Sequence, residues 1–202
     1  PIHYTLDGSE PTAASPRYTG PVEIGKSARF RATALREGGE NASYSREFAF
    51  SKSTGRPAVL NTKPNDSYTF EGASLLVDGY HSRPVFTSGA WLGYLDEPLD
   101  VTIDMGGEQS YRSVELETLA EKGDWIFPPS SVTVWVSDNG TDFTEVASVA
   151  VPEAKAGDAD GIGRYRMQFP ETSARYLKVV AQNAAAIPAW HPGAGSKGFL
   201  FV

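Results

Sequence analysis

Val132-Thr133-Val134-Trp135-Val136, followed by Ser137-Asp138-Asn139-Gly140 and then Phe143, is the stretch that decides the fold. Side chains alternate with a period of two, so Val132, Val134 and Val136 share one face of an extended chain. Asn139-Gly140 accepts the backbone angles of a tight reversal, so the stretch reads as a strand entering a β-hairpin. The same alternation recurs outward along the chain, in Leu99-Asp100-Val101-Thr102-Ile103-Asp104-Met105, in Arg164 to Phe169 and in Arg175 to Ala181. Short strands separated by turns every ten or so residues describe a sandwich or a barrel, and any helix is brief. The class expected is all-β.

The first fifty residues have the same character with a thinner core. His3 to Leu6, Ala28 to Leu35 and Tyr44 to Phe50 read as strands, with turn signals at Asp7-Gly8, Glu10-Pro11, Ser15-Pro16, Gly20-Pro21 and Gly38-Gly39. Ser51 to Pro57 is polar and punctuated. It places a boundary there, with a first domain over 1–52, a linker over 53–57 and a second domain over 58–202.

A net charge of -7 in 202 residues sets the chain against nucleic acid and against anionic membrane surfaces, because phosphates are repelled. No apolar run is long enough for membrane insertion. With no cysteine, disulfides, thiolate nucleophiles and Cys-bound zinc are excluded. Both ends read as cut. The chain opens at Pro1 without an initiator Met and stops at Phe199-Leu200-Phe201-Val202, inside an apolar run.

Ile2-His3-Tyr4-Thr5-Leu6-Asp7-Gly8-Ser9-Glu10-Pro11-Thr12, with Ser15-Pro16-Arg17-Tyr18-Thr19-Gly20-Pro21, resembles the small C-terminal domain of chitobiases and β-hexosaminidases. That resemblance implies a truncated immunoglobulin-like β-sandwich lacking its first strands. The second segment resembles the discoidin, or coagulation-factor type C, module, which overlaps carbohydrate-binding module family 32. The residues that carry it are Leu76-Val77-Asp78-Gly79, Trp91-Leu92-Gly93-Tyr94, Val101 to Gly106, Val132 to Gly140 and Ala174 to Val179. It implies an eight-stranded jelly roll with binding loops at one end. The tandem resembles the tail of a family 20 glycoside hydrolase, a β-N-acetylhexosaminidase. It implies a secreted or periplasmic bacterial protein whose partners are its own catalytic domain and glycans bearing N-acetylhexosamine or galactose.

Each candidate site residue has a functional and a structural reading. Trp190, in Trp190-His191-Pro192-Gly193, stands where the resemblance places a sugar-stacking aromatic, since an indole offers a flat apolar face to a pyranose. The alternative is that Trp190 plugs the bottom of the jelly roll. His191 and Asn183 can hydrogen-bond hydroxyls, or Asn183 can form a turn. Trp91 and Tyr94 belong to the family-like motif and are candidates for sugar contact, against a core reading for Trp91, with Tyr94 the more open of the two. His81 follows Asp78-Gly79 on a loop that touches ligand in relatives. Trp125 reads as a loop residue, although Ile126 and Phe127 beside it indicate a packed corner.

The resemblance also implies a structural Ca2+ at Asp78, with the Thr87 hydroxyl as a second donor. Calcium takes six or more oxygens, and Tyr80 stands where a second acid is usual, so the other reading of Asp78 is a turn. Catalysis is not expected. Asp96-Glu97, the one Asp-Glu doublet, precedes Pro98 in a turn with no barrel around it.

Overall fold

The computed structural model describes residues 1–36 and 41–202. The expected Gly38-Gly39 turn lies outside them. The chain divides into two compact units, Pro1–Thr54 with Asp78–His81, and Gly55–Val77 with Ser82–Val202. Among the described residues no helix is long and apolar enough to cross a membrane.

The first unit is a three-stranded antiparallel sheet of β1 (Ile2–Thr5), β2 (Ala28–Ala34) and β3 (Ala42–Phe48), in that order. Tyr4 and Tyr44 both pair with Ala32, which puts them on one face beside Phe30. The other face is covered by the Asp7–Tyr18 crossing, through His3 Nδ1 and Ser15 O at 2.7 Å and through Glu10, which takes the Thr33 hydroxyl and pairs with Arg31. The Asp7-Gly8 turn forms as expected, Gly8 at φ 85° and the Ser9 N–H on Asp7 Oδ1. Among the described residues this unit has the one sheet. Asp78–His81 joins it because Ala49 N donates to Gly79 O and Tyr80 packs on Phe48, with the Arg46 guanidinium 3.7 Å over the Tyr80 ring.

The second unit holds β4 (Ala58–Leu60), β5 (Gly93–Tyr94), β6 (Leu99–Ala120), β7 (Ser131–Ser137), β8 (Thr144–Ala150), β9 (Gly161–Gln182) and β10 (Leu200–Phe201). They form a sheet ordered β5-β10-β6-β9-β7-β8, with β4 added to β6, folded into a β-sandwich. Strands β6 and β9 run 22 residues each, so each serves both layers of the jelly roll. Their pairing runs from Leu99↔Ala181 to Asp104↔Tyr176, slips twice, and resumes from Ser113↔Gln168 to Ala120↔Gly161. Bulges of this kind bend a strand and raise its twist. Arg164–Phe169 and Arg175–Ala181, which read as two strands, are the two halves of β9. Pro170 sits in the slip between them, where its missing N–H breaks no ladder bond.

The alternation is what builds the core. Leu99, Val101, Ile103 and Met105 of β6, Val132, Val134 and Val136 of β7, and Leu177, Val179 and Ala181 of β9 are all buried. Each Val, Leu or Ile so buried contributes about 1.5–3 kcal/mol, and a one-residue slip would turn every one outward. The expected β7–β8 hairpin forms, with Gly140 at φ 78° and Asn139 Oδ1 accepting from the Thr141 and Asp142 N–H groups. A second aromatic-rich cluster joins Trp91, Leu119, Ile126 and Phe201.

Candidate glycan-binding site

Two loops of the second unit meet beyond the sheet. One leaves β6 through a single 3-10 turn, Lys122–Asp124, and ends at Trp125, whose N–H bonds Lys122 O and whose backbone is left-handed at φ 64°. The other, between β9 and β10, folds back on itself through Ile187 N to Ser196 O and Gly195 N to Ile187 O. His191 joins them. The Gly193 N–H donates to its Nδ1 at 3.0 Å, so the ring proton resides on Nε2, which donates to Lys122 O at 2.9 Å. Phe127, Trp190 and Trp125 surround the imidazole with centroids 5.5, 5.5 and 6.1 Å away, all nearly perpendicular to it.

Lys122 beneath is buried, its Nζ paired with Asp160 and donating to Asp158 O. That ammonium, with the Lys122 N–H, holds the Asp160 carboxyl below its ordinary value. Burial, with Asp124 and Asp160 nearby, pushes Glu121 up.

Beside this junction is a pocket of about 350 Å³, lined by Phe127, Pro129, Pro152, Ala154, Ala186 and Pro188 among others, with Glu153 its one titratable side chain. Trp190 follows the lining residue Ala189, and its Nε1 donates to Ala154 O at 2.9 Å, fixing the indole at the pocket's edge. It stays 39% exposed. The site is concave, mostly apolar, and flanked by a held aromatic plane, the form of a small-ligand site.

The sequence-derived candidates do not assemble as a group. Trp190 is exposed at the pocket. His191 is buried and both its nitrogens are used, so it holds the loops together and offers nothing to a sugar. Asn183 is half-buried and its Nδ2 donates to Tyr94 O and Leu95 O, stapling the end of β9 to β5. Trp91 and Tyr94 are 2% and 0% exposed, and the expectation that Tyr94 is open is corrected: it lies in the main core. Trp91 Nε1 donates to Arg83 O. His81 is half-buried in the first unit.

Asp78 uses Oδ1 to accept the Tyr80 N–H, closing its own turn, and belongs to the first unit, whereas the exposed Thr87 belongs to the second. Among the described residues no group of three or more His, Asp or Glu could hold a metal. Asp96 and Glu97 are likewise engaged, by Lys197 Nζ and the Lys63 N–H. The residues not singled out from the sequence are the Pro- and Ala-rich pocket walls, and Trp125 reads there only as a loop residue beside a packed corner. Proline and alanine announce nothing by type, and the left-handed backbone of Trp125 has no sequence signature.

Several solved structures are similar to the chain. CpGH89CBM32-5 from Clostridium perfringens, solved with GalNAc-beta-1,3-galactose, is 15% identical over 72% of this chain and 93% of its own, at a TM-score of 0.44. Chitosan-binding module 2 of a chitosanase/glucanase from Paenibacillus sp. IK-5, solved with chitotriose, is 16% identical over 75% and 95%, at 0.45. CBM32-3 from a family 31 glycoside hydrolase of Clostridium perfringens is 16% identical over 76% and 94%, at 0.44. No curated protein sequence matches the chain. Residues 1–48 match the Fn3 associated family. Residues 61–196 match the F5/8 type C domain, and the chain belongs to that family.

Proposed function

We propose that this chain is the non-catalytic, carbohydrate-binding C-terminal region of a glycoside hydrolase that works outside the cytoplasm of a bacterium. The enzyme class that fits the amino-terminal motif is a β-N-acetylhexosaminidase, and the partners are that enzyme's catalytic domain and glycans bearing N-acetylhexosamine or galactose. The observation that carries the reading is Trp190. Its indole is tethered through Nε1 yet 39% exposed, beside a pocket with almost no charge of its own. A large apolar side chain held rigidly in solvent loses hydrophobic stabilisation unless a ligand covers it.

A single exposed platform binds weakly, on the order of -4 kcal/mol or a millimolar Kd. Tethering converts that into a raised concentration of enzyme at a polysaccharide surface.

The test is a glycan-array screen beside Trp190→Ala, with circular dichroism to show that both proteins fold. Binding to N-acetylhexosamine- or galactose-bearing glycans that vanishes in the variant is expected. No binding at millimolar ligand density, or binding indifferent to Trp190→Ala, overturns the proposal and leaves a spacer that packs on the catalytic domain.

A further inference from the structure

We infer that Trp125 is a second glycan-contacting aromatic, so that the site takes an oligosaccharide of at least two sugars and not a single terminal residue. This rests on the reading of Trp190 given above. Trp125 is 43% exposed, and among the described residues its Nε1 donates to no protein atom, unlike that of Trp190. It therefore presents an open indole surface and a free donor at the same position.

The backbone holds it there at a cost. A bulky side chain at φ 64° lies in the left-handed region that favours glycine, and such a residue costs of order 1–3 kcal/mol. The opposite loop is shaped to receive it. A Cβ at Gly193 would come within 2.8 Å of Trp125 Cζ2, so the indole lies against bare backbone. A plug for that loop would bury its ring. This ring meets His191 edge-to-face and leaves much of its surface in water.

The two indoles share one support. Trp125 and Trp190 each pack against the buried His191, at 6.1 and 5.5 Å, without ring contact with each other. They are separate platforms no further apart than two such spans, a distance within reach of an oligosaccharide of two to three sugars. Because His191 is pinned by Gly193 N and Lys122 O, their spacing is fixed before ligand arrives, and little ordering entropy remains to be lost on binding.

The experiment is calorimetric or NMR titration of the whole chain with N-acetylglucosamine, N,N′-diacetylchitobiose and chitotriose, and with galactose and N-acetyllactosamine. The wild type is expected to bind the longer member of a series about three- to tenfold more tightly than the monosaccharide, the worth of one stacking contact. Trp125→Ala collapses that ratio to about one, and Trp125→Phe restores most of it, whereas Trp190→Ala weakens every member. Wild-type binding without a length dependence overturns the inference and leaves the Trp190 site standing. So does a ratio that survives Trp125→Ala, which would make Trp125 a cover for the loop. Absence of any binding by the wild type overturns both.

Discussion

Replacing Tyr94 by phenylalanine should leave glycan binding intact and make the protein more stable. The ring is 0% exposed within the main core, and its hydroxyl oxygen is sealed from solvent with no hydrogen-bond partner. The Thr62 hydroxyl lies close enough to bear on it, but it donates to Pro98 O and accepts from Asp100 N. Burial accordingly drives the phenol's pKa well above its ordinary value. An unpaired buried hydroxyl costs about 1–3 kcal/mol, and the polarity of Thr62 recovers part of that. Removing one oxygen from an otherwise unchanged ring should therefore gain about 1 kcal/mol, or about 2–4 °C in the unfolding midpoint for a chain of this size. Tyr94→Ala is the control, losing about 3–5 kcal/mol to the cavity left behind. Denaturant unfolding followed by tryptophan fluorescence measures all three proteins. Destabilisation by Tyr94→Phe of 1 kcal/mol or more, or lost glycan binding in that variant, would refute the placement of this hydroxyl.

The remaining predictions concern pH and metal. Arg175, with the Gly106 N–H, holds Asp104 at about 2, so that pair contributes stability above the ordinary carboxylate range and loses it as the pH falls from about 4 towards 2, and Lys122, which lowers Asp160, acts in the same sense. The raised Glu121 acts in the opposite sense, its protonation on acidification favouring the fold. Urea titrations from pH 6 to 2 should show a net decline that Arg175→Gln makes shallower, and a flat wild-type profile would contradict it. For calcium, millimolar Ca2+ or a chelator should leave the unfolding midpoint unchanged, because Asp78 Oδ1 is taken by the Tyr80 N–H and no acidic cluster of three surrounds it among the described residues. A rise of several degrees with Ca2+ would show that main-chain oxygens complete a site there.

The strands were legible because their signal is local. Leu99–Met105, Val132–Val136 and Arg175–Ala181 carry their alternation within seven residues or fewer, and each buries the side chains its pattern marks. The hairpin at Asn139-Gly140 was legible for the same reason. The continuity of β6 and β9 was not, since Pro170 reads as a break until its partner strand is seen to slip at that level. Site residues were harder still. Trp91, Tyr94, Trp125 and Trp190 are all aromatics beside glycine or a turn, and nothing local separates the two that are buried from the two that are exposed.

The sequence by itself determined the all-β class, the periodic core and the family motifs, because a period of two and a turn dipeptide act between near neighbours. It determined equally, through the lack of cysteine, that disulfides and thiolate chemistry are excluded. Only the tertiary structure decided which aromatics meet solvent. That depends on Gly193 receiving Trp125, on Ala154 O holding Trp190, and on His191 bonding Lys122 O, 69 positions away in the chain. A side chain is buried or exposed according to what distant segments bring over it, and packing of that kind is a property of the folded chain as a whole.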